Sequence, residues 1–347
     1  MNESQKKFSM YFKQRSMPFY LAALLILLLS GCGQFSPATT RPLAQEAAPR
    51  PTAKVTKTQT PSQDAQETVL QQTQDEMAII RSREGPNGWT WATNLPTHRL
   101  VVFYGNPLSS VMGPIGQYSD SDLISKLQEQ AQVYAQLDPG HPVVPALDYV
   151  TPVVQPVPMA DNSWVYRMPD SSIEHYIDLA NSNHALFFFD MQIGHSTVQK
   201  EVSRVLPYLE RAGVDLTLDP EFDMPPGAIP DQVFGHMSAA EINWAINTLA
   251  SLVQTYHLPP KILIIHQFRE DMLPDWQKIK VQPGVQVITC VDGFGPPSEK
   301  IDDYQIFDKQ QLIQYPGIKL FYKLDVPLMT PEQTLQLDPP PLMVMYQ

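Results

Sequence analysis

From about residue 97 onward, short apolar runs recur at regular intervals: Leu100–Tyr104, Val143–Leu147, Ala185–Phe189, Val214–Leu218, Ile262–Ile265, Val285–Val291, Ile318–Tyr322 and Leu342–Tyr346. Each has the length of a buried strand. Between most of them the apolar spacing changes to that of a helix. Asp122–Leu137 puts Leu123, Leu127, Ala131 and Tyr134 on one side, and Ser171–Ala180 does the same with Ile173, Ile177 and Ala180. Thr197–Arg211 carries Val198, Val202, Val205 and Leu209, and Ser238–Tyr256 carries Ile242, Ala245, Leu249 and Leu252. Ser238 followed by Glu241 reads as a capping box. Eight strands alternating with helices over about 250 residues predict a (β/α)8 barrel spanning 97–347. A doubly wound open sheet is the competing arrangement, but Tyr104-Gly105-Asn106-Pro107 lacks the glycine spacing of a phosphate loop. Proline is frequent after the fifth, sixth and seventh strands, so the helices there are the least defined.

Polar residues trail the apolar runs. They are Tyr104-Gly105-Asn106, Asp148-Tyr149, Asp190-Met191-Gln192, Asp219-Pro220-Glu221, His266-Gln267, Asp292-Gly293, Tyr322-Lys323-Leu324-Asp325 and Tyr346-Gln347. In a barrel these strand ends form one mouth, where reactive groups gather. An Asp also commonly caps a turn, so the set carries more weight than any member. The fourth run is the most informative. Asp215, Thr217, Asp219 and Glu221 share one face of it and Val214, Leu216 and Leu218 the other. The apolar face is expected against the helices and the acidic one inward. Two carboxyls this close push one pKa upward, as a general acid requires.

The N-terminal part follows different rules. Residues 1–15 hold Lys6, Lys7, Lys13 and Arg15 against Glu3; the apolar run Phe19–Leu29 follows, and Ser30-Gly31-Cys32 closes it. About ten apolar residues describe an export signal, since a membrane span needs roughly 20. Leu29-Ser30-Gly31-Cys32 resembles the lipobox of bacterial lipoproteins. The resemblance implies a signal peptide over 1–31, acylation of Cys32, and a membrane-anchored protein on the extracytoplasmic face. Residues 32–75, rich in Pro, Thr, Ala and Gln, read as a disordered tether. Residues 76–96 read as an extension packing on the barrel. Cys290 is then the remaining thiol and reads as a small core residue.

Charge narrows the partners. The chain carries −12; losing residues 1–31 removes four basic residues and one acid and leaves −15. Nucleic acid is thereby excluded as an electrostatically captured partner.

Asp219-x-Glu221 at the end of the fourth strand resembles the chitinase-like glycoside hydrolases. The resemblance implies Glu221 as the acid that protonates the leaving oxygen and Asp219 as its helper. The fuller family pattern has Asp where this chain has Val214 and Thr217, a departure that bears on substrate-assisted chemistry. The chain from Asp219 through His266-Gln267-Phe268 and Asp292-Gly293-Phe294-Gly295 to Tyr346-Gln347 also resembles uncharacterised lipoproteins of monoderm bacteria, a likeness that brings no chemistry. The leading expectation is a cell-surface hydrolase of a glycan, with Glu221 and Asp219 catalytic. Asp190, Gln192, His266, Gln267, Asp292, Tyr104 and Tyr322 are expected to contact substrate, with no cofactor or metal. Two alternatives stay open. One is a glycan- or solute-binding lipoprotein without chemistry. The other is a metal-dependent hydrolase in which His266, Asp190 and Asp292 converge. The latter lacks the His-x-His of barrel amidohydrolases, and no Gly-x-Ser-x-Gly supports a serine nucleophile.

Overall fold

A computed structural model describes residues 95–230 and 232–347. The signal peptide (1–31), the tether (32–75) and all but Leu95 and Pro96 of the extension (76–96) lie outside the described residues. No described helix is long and apolar enough to cross a membrane.

All eight expected strands form, and they close into one parallel barrel. They are β1 (Arg99–Gly105), β2 (Val143–Val150), β5 (Leu186–Met191), β6 (Val214–Leu218), β7 (Lys261–Gln267), β8 (Val285–Val291), β9 (Tyr315–Leu320) and β10 (Met343–Tyr346). Each neighbours the next in the sequence, and β10 returns to pair with β1. A small antiparallel hairpin, β3 (Val153–Val154) with β4 (Val165–Tyr166), lies in the connection after β2.

Alternation along the strands builds two apolar layers. Leu100, Val102, Val144, Ala146, Leu186, Phe188, Ile262, Ile264, Ile288, Met343 and Met345 fill the barrel interior. Val101, Phe103, Leu147, Phe187, Phe189, Leu216, Leu218, Leu263, Ile265, Ile318 and Val344 face the helices. The interior leaves no room at Gly317, where a Cβ would stand 2.8 Å from Ile288 Cγ2 and 2.9 Å from Met343 Cε.

The helices start where their caps dictate. Ser119 opens α2 (Asp120–Leu137) and Thr197 opens α4 (Val198–Leu209), each side chain accepting a backbone N–H three residues on. The Ser238–Glu241 box opens α5 (Ala239–Tyr256) as expected. A short α1 (Pro114–Gln117) precedes α2, and α3 (Asp170–Ser182) links β4 to β5. Gly284 turns the chain into β8 at φ +84°, a conformation that disfavours a side chain.

Proline thins the helical layer on the far side. After β7 only the 3-10 turns Glu270–Met272 and Trp276–Lys278 form. After β8, α6 (Pro297–Tyr304) runs into a π turn over Gln305–Gln310, and after β9, α7 (Pro331–Leu335) is barely one turn.

The seventh strand is displaced from the expected Ile318–Tyr322. It begins at Tyr315 and ends at Leu320 because Asp325 stops it there. One Asp325 oxygen accepts the Phe321 N–H at 2.8 Å and the other accepts the Gly295 N–H at 2.8 Å. The chain is thereby turned and tied to the neighbouring loop.

Candidate active site

Polar residues gather at one end of the barrel, on or just beyond the inward faces of most strands. Tyr104 ends β1, Asp148 lies near the end of β2, Asp190 near that of β5, and His266 near that of β7. Thr217 lies in β6 and Asp219 just beyond it. Glu221 follows in a 3-10 turn, Pro220–Phe222, which swings its carboxyl back towards the axis. Asp292 follows β8. Tyr104 pairs in register with Asp148, Asp190 with Thr217, and His266 with Cys290. All are buried, with Glu221 and Asp292 the most accessible at 8% and 6%. The expected inward acidic face of β6 is present.

His266 is the hub. Its Nδ1 lies 2.8 Å from Asp219 Oδ1 and 3.0 Å from Asp292 Oδ2. These are ion-pair separations without hydrogen-bond alignment: neither ring nitrogen, nor Asp219 Oδ1, makes an aligned bond. Both oxygens of Asp190, Asp148 Oδ2, Glu221 Oε2, Asp292 Oδ1 and Thr289 Oγ1 are likewise buried without a partner. Few such atoms survive in a folded chain unless something else satisfies them, so their concentration marks a ligand site. Ligand atoms of Asp219, Glu221, His266 and Asp292 lie within 4.8 Å of one another, a set able to hold a metal ion. Asp148, Asp190 and His266 form a second grouping.

A second cation completes the site. Lys319, buried in β9, stands 3.5 Å from the centroid of the Tyr104 ring. Burial works against its charge, but Asp292, Asp219 and Asp190 outweigh burial and raise its pKa. Burial likewise opposes the charge on His266, and Asp219 chiefly overcomes it, holding the imidazole well above its ordinary value. The acids divide. Burial would raise Asp219, yet the fields of His266 and Lys319 bring it below the ordinary carboxylate range. Glu221 is driven well upward by burial and then by Asp219 and Asp292. Asp190 is driven up by burial, Asp219 and Asp148. Asp148 reaches about 7 through burial, moderated by His266 and Lys319. An ionised Asp219 therefore sits two residues from a proton-holding Glu221.

The remaining expected residues divide in the same way. Gln192 supports the site: its Oε1 accepts the Val154 N–H at 3.0 Å, and its Nε2 donates to Asp219 Oδ2 at 3.4 Å. Tyr104 faces inward, its ring centroid 6.2 Å from that of His266. Two of the expected residues lie apart from the cluster. Gln267 follows the outward parity of Leu263 and Ile265, and its amide donates to the Arg269 carbonyl at 3.3 Å. Tyr322 shares the parity of Ile318 and Leu320 and stacks on Tyr346, centroids 5.1 Å apart. Tyr346 in turn meets the Tyr134 hydroxyl of α2 at 2.8 Å, so Tyr322 belongs to the helix side of the wall. The residue that enters the site from that strand is Lys319, which sequence reasoning missed. Its signal was present: a lysine between Ile318 and Leu320, at the inward parity, inside an apolar run.

These features define a closed (β/α)8 barrel whose C-terminal mouth holds a buried cluster of carboxyls around one imidazole and one lysine. No family model matches the chain, and no curated protein matches it. Among solved structures it is similar to a mutant of the O-GlcNAc hydrolase of Thermobaculum terrenum. That likeness has 11% identity and a TM-score of 0.37, over 72% of this chain and 55% of that one. The present chain thus spans about half the length of that protein, and the likeness assigns no residue a role.

Proposed function

We propose that the chain is a hydrolase of glycosidic bonds, with Glu221 as general acid at the mouth of the barrel. The observation that carries this reading is the placement of Asp219 and Glu221. Both are buried at the end of β6, and Glu221 Oε2 lacks a partner within the protein. Cleavage of a glycosidic bond needs a proton delivered to the leaving oxygen as the bond to the anomeric carbon breaks. Glu221 supplies that proton. Water then adds to the anomeric carbon and returns a proton to a carboxylate. Asp219, held by Gln192, orients the reacting groups. Asp190 and Asp148 provide acceptors for sugar hydroxyls. Tyr104 and Lys319 close the opposite wall.

The export signal and the Leu29-Ser30-Gly31-Cys32 lipobox support a place for this enzyme on the outer face of the cell membrane, held by acylated Cys32. A cell-wall or environmental glycan is the substrate class that such a place offers.

The test is turnover of peptidoglycan fragments and chitin oligosaccharides by the full chain and by Glu221→Gln. The expected result is cleavage by the native protein and a loss of about 10²–10⁴-fold in kcat for the variant, with an unchanged circular dichroism spectrum. Undiminished turnover in the variant removes the assignment.

A further inference from the structure

We propose that the mouth of the barrel binds one divalent first-row transition cation, zinc or manganese, on Asp219 Oδ1, His266 Nδ1 and Asp292 Oδ2. Three observations carry this.

The first is the shape of the contact. The imidazole nitrogen stands 2.8 Å and 3.0 Å from two different carboxylates, yet it forms an aligned hydrogen bond to neither. One N–H shared between two off-axis acceptors satisfies neither of them well. A metal can. Bonds of about 2.0–2.2 Å from a cation to nitrogen and oxygen leave the donor atoms roughly 2.8–3.1 Å apart at right angles and roughly 3.3–3.6 Å apart at tetrahedral angles. The observed separations of 2.8 Å and 3.0 Å match the right-angle case.

The second is the accumulation of orphaned donors. His266 is fully buried with both nitrogens unpartnered, and Asp219 Oδ1, Asp292 Oδ1 and Glu221 Oε2 are unpartnered beside it. Such atoms are costly unless a ligand absent from the polypeptide satisfies them.

The third is charge. The carboxyls of Asp148, Asp190, Asp219, Glu221 and Asp292 crowd around His266, while Lys319 is engaged over the Tyr104 ring and Lys300 is paired with Asp325. A dication binding among these carboxyls would release protons that the crowded acids and the imidazole otherwise hold.

The donor set selects the type of ion. Calcium and magnesium favour shells made wholly of oxygen, whereas an imidazole among carboxylates suits zinc, manganese or iron. Asp219 is already braced for the role. Its Oδ2 is held by Gln192, leaving Oδ1 to the ion. Glu221 has its ligand atom within 4.8 Å of the same atoms and is the most accessible of the four, at 8%. From there it can exchange a proton with a water on the ion.

The test is calorimetric titration of the full-length chain in detergent, stripped with chelator, using zinc, manganese, magnesium and calcium chlorides in turn. The expected result is one equivalent of zinc or manganese bound, with magnesium and calcium at least about tenfold weaker. His266→Ala and Asp292→Asn should each lower the affinity by more than about 100-fold, beyond what loss of an outer-shell partner costs. Glu221→Gln should retain the ion. Asp292→Asn is nearly isosteric and decides the matter if His266→Ala does not fold, folding being checked by circular dichroism. The proposal falls if the native chain binds no stoichiometric ion, or if folded Asp292→Asn binds it as tightly as native. A chain that binds the ion but cleaves no glycan removes the glycosidic reading alone. Glycan cleavage by a chain that takes up no ion removes this proposal alone.

Discussion

The two ends of this barrel bury similar charges and treat them in opposite ways. At the N-terminal end Lys261 donates to the carbonyls of Arg211 and Val214 at 2.6 Å each, and Asp215 accepts the Ile262 N–H at 2.9 Å. Arg99 donates to the Pro341 carbonyl and to Asp138. None of these side chains leaves a solvent-shielded atom without a partner. At the C-terminal end the reverse holds, and Asp190 alone leaves both oxygens unsatisfied. Burial of charge by itself therefore says little. What separates a structural ion pair from a binding site is whether the polypeptide completes the coordination of each atom.

That contrast can be broken most forcefully at the closed end. Lys261→Met leaves two carbonyls without a donor and Asp215 without its cation. A loss of about 3–5 kcal/mol in unfolding free energy is expected, with turnover per folded molecule unchanged. Urea denaturation together with activity normalised to folded protein checks both halves. A loss below about 1 kcal/mol would show that the N-terminal charges are not structural.

The pH dependence of stability at the same end comes next in size. Burial lifts Asp215 to about 6, only partly offset by Lys261, so the folded state holds this proton more tightly than the unfolded one. Its stabilising contribution is complete below the unfolded carboxylate value, near 4, and is lost as pH rises to about 6. Lys261, lowered to about 8 by burial, has the opposite history. Its contribution is present above the unfolded value, near 10.5, and is lost as pH falls to about 8. Comparing native protein with Asp215→Asn across pH 4–7 isolates the first of these. The native chain should lose about 2 kcal/mol relative to the variant over that interval. Parallel curves would contradict it.

A smaller effect of opposite sign is expected at the open end. Asp190→Asn removes a buried acid that has no partner for either oxygen, so thermal stability should rise by about 1 kcal/mol while turnover falls. A destabilised variant with full activity would reverse the proposed roles of the two ends. The smallest change tests the position of Tyr322. Tyr322→Ala removes the stack on Tyr346 and should cost about 0.5–1.5 kcal/mol, with no change in turnover. A large drop in kcat would return Tyr322 to the site.

Much of this was legible along the chain because it depends on period. Eight apolar runs with helical spacing between them imply the barrel, and the parity of Val214–Leu218 correctly turned Asp215, Thr217 and Asp219 inward. The capping signals at Ser238 and Glu241 were equally local. Less was legible where one strand's limit depends on a distant residue. Asp325 ends β9 at Leu320 by binding both Phe321 and Gly295, and the residue of that strand with the inward parity is Lys319 rather than Tyr322.

Alternation of residue types along the strands thus determined the fold and the list of acids and histidine that crown them, because a strand's two faces follow from spacing alone. Only the closed barrel decided which of those groups meet. The approach of His266 to both Asp219 and Asp292, the entry of Lys319, and the shortage of partners around them depend on contacts between strands far apart in sequence. No local pattern encodes distances across a barrel.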